Sequence, residues 1–408
     1  MKDQNITSPL LSVVIPTHNR SQYAYFAIRS ILSIEDNRLE LVVSDTSGDD
    51  KLWLMLNEDD RGLLSDPRLK FLRPKEKLDM TGNHNHVVSA ATGAYVCLIG
   101  DDDTITEEAL AAADWAINND IEIIAPNVKA NYAWPDFLSK HFGTKHSSRL
   151  YVPKSVAGIK WFDSKTAFKN AMENSAQGTD GLPKIYHGFV RRSVLEKIKG
   201  LTGNYFYGSS PDVSGAIGLA LCSARFVTFD YPLTIPGASG GSNTGRSAMN
   251  QHKGKLTSES QTKSFEKKGW SKGVPKFFSV ETVWAHAALE TIERIDASLI
   301  PSFNYAKLFA ACRILHPEYK AEINQAIADR LAVGDLSKFK LQQGILIEIL
   351  RYRLKRFGYL SRRLLHPTAS GGREFIPNLE TIEATPGALK DYMSKNGWNW
   401  ELIISKGE

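Results

Sequence analysis

At 408 residues the chain has the length for two domains, or for one large domain with an appendage, and it can bury a full core. Its 42% hydrophobic and 23% charged content is that of an ordinary soluble globular protein, and a formal charge of +5 is too small for this length to argue for a nucleic-acid partner. Cys97, Cys222 and Cys312 lie far apart without metal-ligand spacing and read as reduced thiols of a cytosolic protein, the short apolar run ending at Pro16 predicts no signal peptide, and no apolar stretch approaches the ~18 residues that cross a bilayer.

The first 125 residues alternate between two periodicities. LLSVVIP (10–16), LELVVS (39–44), RLKFLR (68–73), YVCLIG (95–100) and IEIIAP (121–126) are short, rich in β-branched residues and bounded by turn formers. Helix-like segments separate them: SQYAYFAIRSILSI, GNHNHVVSAATG and ITEEALAAADWAINND. Strands alternating with helices predict βαβ units, a mostly parallel sheet and right-handed crossovers. In such sheets ligands bind beyond the carboxyl ends of the strands. Three polar clusters fall at those ends: PTHNR after the first strand, DTSGDD after the second, and the run Asp101, Asp102, Asp103 after the fourth.

Adjacent carboxylates repel one another, so three in a row at a strand end call for a cation. The turn after the first strand holds neither the GxGxxG of a dinucleotide fold nor a Walker loop, and PTHNRSQY contains no glycine at all. Phosphates bound here need neutralising by something other than a backbone nest. A divalent metal held by hard oxygen ligands, Mg or Mn, is the expected substitute.

LSVVIPTHNR, LVVSDTSGDD, GNHNHVVSAATGAYVCLIGDDD and SSPDVSGAIGLA, in this order, resemble the family 2 glycosyltransferases of the GT-A fold over roughly residues 10–245. The resemblance implies a Rossmann-like, mostly parallel sheet flanked by helices, and an inverting enzyme that uses a nucleotide diphosphate sugar. It places Pro16, Thr17, His18, Arg20 and Asp45 at the donor, with Pro16 and His18 lining the base pocket and Asp45 accepting from the base. His84 falls where the family carries an arginine near the donor. The family's DxDD appears with Gly100 in place of its first aspartate, which puts Asp101 near the ribose and Asp102 on the metal. Asp103 stays open between the metal, a supporting contact and the cap of the next helix.

For catalysis the resemblance points to Asp212, in SSPDVSGAIGLA, as the base that deprotonates the acceptor hydroxyl; Pro211 stands where a glutamate is usual. Ser-Pro-Asp is equally good helix-start chemistry. Upstream, PKIYHGFVRRSVLEKI resembles the acceptor-side segment and makes His187 and Arg191 candidates there. After ARFVTFDYPLTI, the glycine-, serine- and lysine-rich stretch 236–269 is expected to be mobile, as a lid over the diphosphate or as a plain linker. Ser239, Ser242 and Arg246 are its residues able to reach phosphate.

From about residue 275 the pattern is helical. In ILIEILRYRLKRFGYLSRRLL (345–365), Leu350, Leu354, Phe357, Leu360 and Leu364 share one face, and Arg351, Lys355, Arg356, Arg362 and Arg363 lie mostly opposite. That pattern suits an anionic membrane surface, or a helix packed on the protein with a solvated basic face. The expected organisation is a GT-A domain over 1–245 (nucleotide half 10–126, acceptor half 127–245), a flexible loop or linker over 246–274, and a mainly helical region over 275–408. The expected function is metal-dependent transfer of a sugar, from a UDP-linked donor first, to a glycan or lipid-linked glycan in polysaccharide biosynthesis, by a cytoplasmic protein that is soluble or peripheral on the membrane. The alternatives are a catalytically inactive, nucleotide-sugar-binding or membrane-associated scaffold, and a nucleotidyltransferase of related fold.

Overall fold

A computed structural model describes residues 8–127, 129–249, 253–257, 259, 262–365 and 370–405, with side chains of 243, 266 and 358–365 left aside. Its first half is built from β1 (Leu11–Thr17), α1 (Ser21–Leu32), β2 (Leu39–Asp45), α2 (Lys51–Asn57), β3 (Leu69–Leu72), α3 (Met80–Ser89), β4 (Tyr95–Leu98), β5 (Thr104–Ile105), α4 (Glu108–Asn118), β6 (Ile123–Ile124), β7 (Asn131–Ala133), β8 (Arg149–Tyr151) and β9 (Ala157–Asp163). Next come α5 (Ser164–Glu173), β10 (Phe189–Arg191), α6 (Arg192–Thr202), α7 (Pro211–Cys222), β11 (Arg225–Asp230), β12 (Thr234–Ile235), β13 (Gly237–Ala238) and α8 (Asn243–Ala248). The rest comprises β14 (Lys253–Gly254), α9 (Phe265–Lys268), β15 (Phe278–Ser279), α10 (Val280–Asp296), α11 (Tyr305–Leu315), α12 (Lys320–Leu331), α13 (Lys338–Leu365), β16 (Phe375–Ile376), α14 (Thr385–Lys395) and α15 (Trp400–Ser405).

The main sheet has the order β3-β2-β1-β4-β10-β6-β11-β9. All but β10 and β9 run the same way, so the sheet is mostly parallel, as expected. β1 and β2 are buried along nearly their whole length, which is why they read as continuous apolar runs. Alternate residues feed two separate cores. Val14, Val42, Val96 and Leu98 pack with α5, α6, α7, α10 and α11. Val13, Ile15, Leu41, Val43 and Cys97 pack with α1, α4, α14 and α15.

The described residues of the stretch after β12 form β13, which pairs with β7, then α8, then β14, which pairs with β15, then α9. Backbone pairing and polar anchors hold this segment where apolar burial does not. The C-terminal residues come back to the α/β unit: α10 packs on α7, and Trp400 of α15 meets Trp115 and Phe229 edge-on.

Candidate active site

Parallel pairing brings the ends of β1, β2 and β4 together, with Thr17 opposite Asp45 and Val14 opposite Leu98. Asp45 is buried. Its Oδ1 accepts from the Ser47 amide at 2.8 Å, while its Oδ2 has no partner among the described residues. His18 is exposed beside it, with Nδ1 2.9 Å from the Thr46 carbonyl. Pro16 precedes Thr17, whose hydroxyl donates to Asp101 at 2.7 Å.

Arg20 closes this turn. Its Nε donates to Asp101 Oδ1 at 2.7 Å, its Nη2 lies 2.9 Å from Asp102 Oδ2, and Nη2 also donates to the Ser239 hydroxyl at 2.7 Å. Burial alone would weaken the guanidinium's hold on its proton, but Asp101 and Asp102 more than offset it and Arg20 stays charged. Its Nη1 is buried and has no hydrogen-bond partner among the described residues. Buried polar atoms are nearly always paired, so Arg20 Nη1 and Asp45 Oδ2 mark positions whose partner is a ligand or water.

The three aspartates are all buried, yet they differ in chemistry. Burial raises Asp101 above the ordinary carboxylate range, against the pull of Arg20 and Thr17. Burial and then the Asp103 charge push Asp102 up to about 7, opposed by Arg20 and the Ser239 hydroxyl. Asp103 goes the other way. Burial would raise it, but the His187 ring and the amides of Gly237 and Gly100 hold it below the usual range. Those amides donate at 2.7 and 2.6 Å. Asp103 therefore acts as a fixed anion that closes the turn and anchors β13.

At Gly100 the side chains of Asp103 and Tyr186 close in on the backbone. A Cβ there would stand 2.9 Å from Asp103 Oδ2 and 3.0 Å from the Tyr186 hydroxyl.

Asp212 sits in the first turn of α7, behind Pro211 at the helix start, and accepts from the Ser210 hydroxyl. Its charge acts on both His84 and Tyr186. His84 is half-buried, edge-on to Phe206, and its Nδ1 donates to the Met80 carbonyl at 2.7 Å, leaving Nε2 as the acceptor. Burial lowers its proton affinity, with the Met80 carbonyl and Asp212 opposing. Burial and the charges of Asp103, Asp102 and Asp212 keep the Tyr186 phenol neutral, and it donates to Asp103 Oδ2 at 3.1 Å. The Tyr186 phenol thus feels the charge of both the aspartate run and Asp212.

The two acceptor-side candidates separate. His187 is buried behind the aspartates, with Nε2 3.2 Å from Asp103 Oδ2 and Nδ1 3.0 Å from the Thr234 hydroxyl, and its backbone takes a φ of 58°. In this position its ring supports Asp103. Arg191 is carried to the far end of the sheet, opposite Tyr95 at the start of β4, where it pairs with Asp120 at 2.6 Å. The antiparallel course of β10 separates the two, because each residue moves it farther from the strand ends.

Sequence reasoning singled out neither Tyr186 nor Gly237 and assigned Ser239 only to phosphate. Ser239 donates to Asp102 Oδ2 at 2.6 Å. Ser242 caps α8, and Arg246 pairs with Glu259 at 2.9 Å.

Residues 12–162 match the family model described as Glycosyl transferase family 2. The family resemblance carried by the strand-end motifs is borne out, and the match runs through β1, β2 and the aspartate run. The chain is 34% identical over 104 residues to the GalNAc(5)-diNAcBac-PP-undecaprenol beta-1,3-glucosyltransferase of Campylobacter jejuni, covering 25% of this chain and 33% of that one. To the putative colanic acid biosynthesis glycosyl transferase WcaA of Escherichia coli it is 24% identical over 181 residues, covering 40% and 60%. The chain thus spans between a third and three fifths of these relatives. Similar solved structures include Staphylococcus aureus TarS 1-349 with UDP-GlcNAc (15% identity, TM-score 0.41, 80% of this chain and 93% of that one). Another is the mannosyltransferase PcManGT of Pyrobaculum calidifontis with GDP-Man and Mn2+ (14%, TM-score 0.40, 86% and 88%).

The residues at these strand ends fit a divalent cation that is completed by a ligand. No hydrogen bond reaches Asp102 Oδ1 from the described residues, while Oδ2 is held by Arg20 and Ser239. Among the described residues no group of three or more His, Cys, Asp or Glu is placed to hold a metal ion unaided. One or two carboxylate oxygens plus diphosphate oxygens and water is how Mg is commonly bound.

Proposed function

We propose that this chain is an inverting, metal-dependent glycosyltransferase that moves one sugar from a nucleotide diphosphate donor, UDP-linked first, to a glycan or lipid-linked glycan. The observation that carries it is the pair of buried, unpartnered atoms, Arg20 Nη1 and Asp45 Oδ2, at adjacent strand ends beside three aspartates. A base N–H satisfies the Asp45 oxygen, with Pro16 and His18 beside it. A diphosphate oxygen satisfies the guanidinium, and Asp101 lies toward the ribose. Asp102 Oδ1 would hold the metal, and Mg or Mn bound there would supply positive charge against the departing diphosphate. His84 offers Nε2 between the donor and Asp212.

Asp212 takes the proton of the acceptor hydroxyl as that oxygen attacks the anomeric carbon. The bond to the diphosphate breaks on the opposite face, so configuration inverts. Asp212 lies in the first turn of α7, at the positive end of the helix, a place that suits an acidic side chain. The glycan or lipid-linked class of acceptor is supported by the relatives' names, one of which specifies an undecaprenol-linked glycan. We place the reaction in the cytoplasm, in keeping with three buried, unpaired cysteines.

Asp212→Asn keeps the side chain's size and its contact with Ser210 but removes the base. Donor affinity by calorimetry should be unchanged, while transfer falls at least ~10²-fold. Undiminished transfer would remove Asp212 from the chemistry. A wild type that neither transfers nor hydrolyses any sugar of a nucleotide-diphosphate panel, with Mg or Mn present, would end the enzymatic reading.

A further inference from the structure

α13 runs 28 residues and buries only one side of itself. Leu341 and Ile345 pack into the core against α11, and Gly344 faces Ala306. At ~100° per residue those positions lie on one side of the helix. Phe339, Leu346, Ile347, Leu350, Leu354 and Phe357 fall within a band about 100° wide on the other side, and all are exposed, Leu354 at 74% and Phe357 at 76%. Scattered exposed leucines need no explanation, but six on one stripe form a contiguous apolar face.

Charge surrounds this stripe with one sign. Arg351 and Arg353 flank it on either side, with Lys355 and Arg356 beyond them, and all four are exposed. The helix sequence holds eight Lys or Arg and a single acid, Glu348, whose carboxylate is already paired with Arg351 at 2.7 Å. The side chains of Leu360, Arg362, Arg363 and Leu364 lie outside the described residues. A protein partner would have to neutralise this rim with acids of its own while filling the stripe. An anionic bilayer supplies both at once, phosphates at headgroup level and hydrocarbon just beneath.

We propose that the outer face of α13 docks this protein on an anionic lipid surface, with Leu350, Leu354 and Phe357 entering the headgroup boundary and Arg351, Arg353, Lys355 and Arg356 meeting lipid phosphates. The helix lies in the plane of the surface and does not cross it; among the described residues no helix is long and apolar enough to do so. The docking does not depend on which sugar is moved, or on whether one is.

Co-sedimentation of the full chain with vesicles tests it, using phosphatidylcholine alone and phosphatidylcholine mixed with phosphatidylglycerol. Binding is expected to the mixed vesicles only, and to be released by salt. Each basic side chain near such a surface contributes about fivefold in affinity (about 1 kcal/mol at 1.4 kcal/mol per tenfold). Changing all four to glutamine should therefore weaken binding several-hundredfold by the same arithmetic. Leu350→Ser with Leu354→Ser and Phe357→Ser should also abolish it, without lowering the melting temperature, because these side chains are exposed. Equal binding to both vesicles, or to neither, would overturn the proposal. A wild type that dimerises through the stripe, ignores vesicles and becomes monomeric in the serine variant would assign the face to a second copy instead. A serine variant with a lowered melting temperature would place the stripe in the protein's own packing, and that also defeats it.

Discussion

Replacing Arg20 by alanine removes the guanidinium that pairs with both Asp101 and Asp102. Its guanidinium reaches Asp101 at 2.7 Å and Asp102 at 2.9 Å, and both carboxylates are only 8% exposed. Deleting one partner of a buried ion pair costs about 3–5 kcal/mol, because the charge left behind stays out of water. Here Thr17 and Ser239 each keep a hydrogen bond to a carboxylate, and Asp102 can escape by taking a proton. The expected loss near neutral pH is therefore at the low end, about 3 kcal/mol. Its pH dependence has a definite sign. Asp102 is already raised to about 7 in the folded protein, and Arg20 acts to lower it. Without Arg20 the carboxyl titrates higher still, so the variant is least penalised below neutrality, where Asp102 is protonated in both proteins, and most penalised at alkaline pH. Urea unfolding followed by tryptophan fluorescence, on both sides of neutrality, measures this. R20A combined with Asp102→Asn removes a charge together with its counter-charge and should recover about 1 kcal/mol or more at alkaline pH. A loss below about 1 kcal/mol at every pH would mean that water already screens the cluster. A double variant no more stable than R20A would refute the argument equally.

A metal ligand must be ionised, so Mn affinity in the presence of UDP should rise about tenfold from one pH unit below Asp102's value of about 7 to one unit above it, measured by calorimetry; a flat profile would take Asp102 off the metal. Asp102→Ala should remove the Mn-dependent part of donor binding and leave the fold intact, and retention of that dependence would have the same meaning. Gly237→Ala would place a Cβ 1.8 Å from the Asp102 carbonyl oxygen, so β13 must move. A loss of about 1–3 kcal/mol in thermal or urea unfolding, with weakened donor binding, is expected, and an unaffected protein would show that β13 does not press on the aspartate turn.

Most of the parallel half of the sheet is legible from sequence alone because β1, β2 and β4 are buried on both faces and are written as nearly continuous apolar runs. The residue that ends the run is therefore a residue of the candidate site: Thr17, Asp45 and Asp101 are found by reading to the last apolar position. The amphipathic pattern of α13 and the helix start at Pro211 are local in the same way. What surrounds the aspartates is not local. Tyr186 and His187 arrive just before an antiparallel strand inserted between β4 and β6, and Ser239 and Gly237 from a segment whose composition predicts mobility. Composition registers apolar burial and does not register amides and hydroxyls that satisfy buried carboxylates 134–137 residues away. Strand direction likewise decides that His187 supports Asp103 while Arg191, four residues on, belongs to the opposite end of the sheet. Periodicity draws an apolar stripe on α13, but only packing shows which stripe the core takes, and the one that carries Leu350, Leu354 and Phe357 is left facing outward.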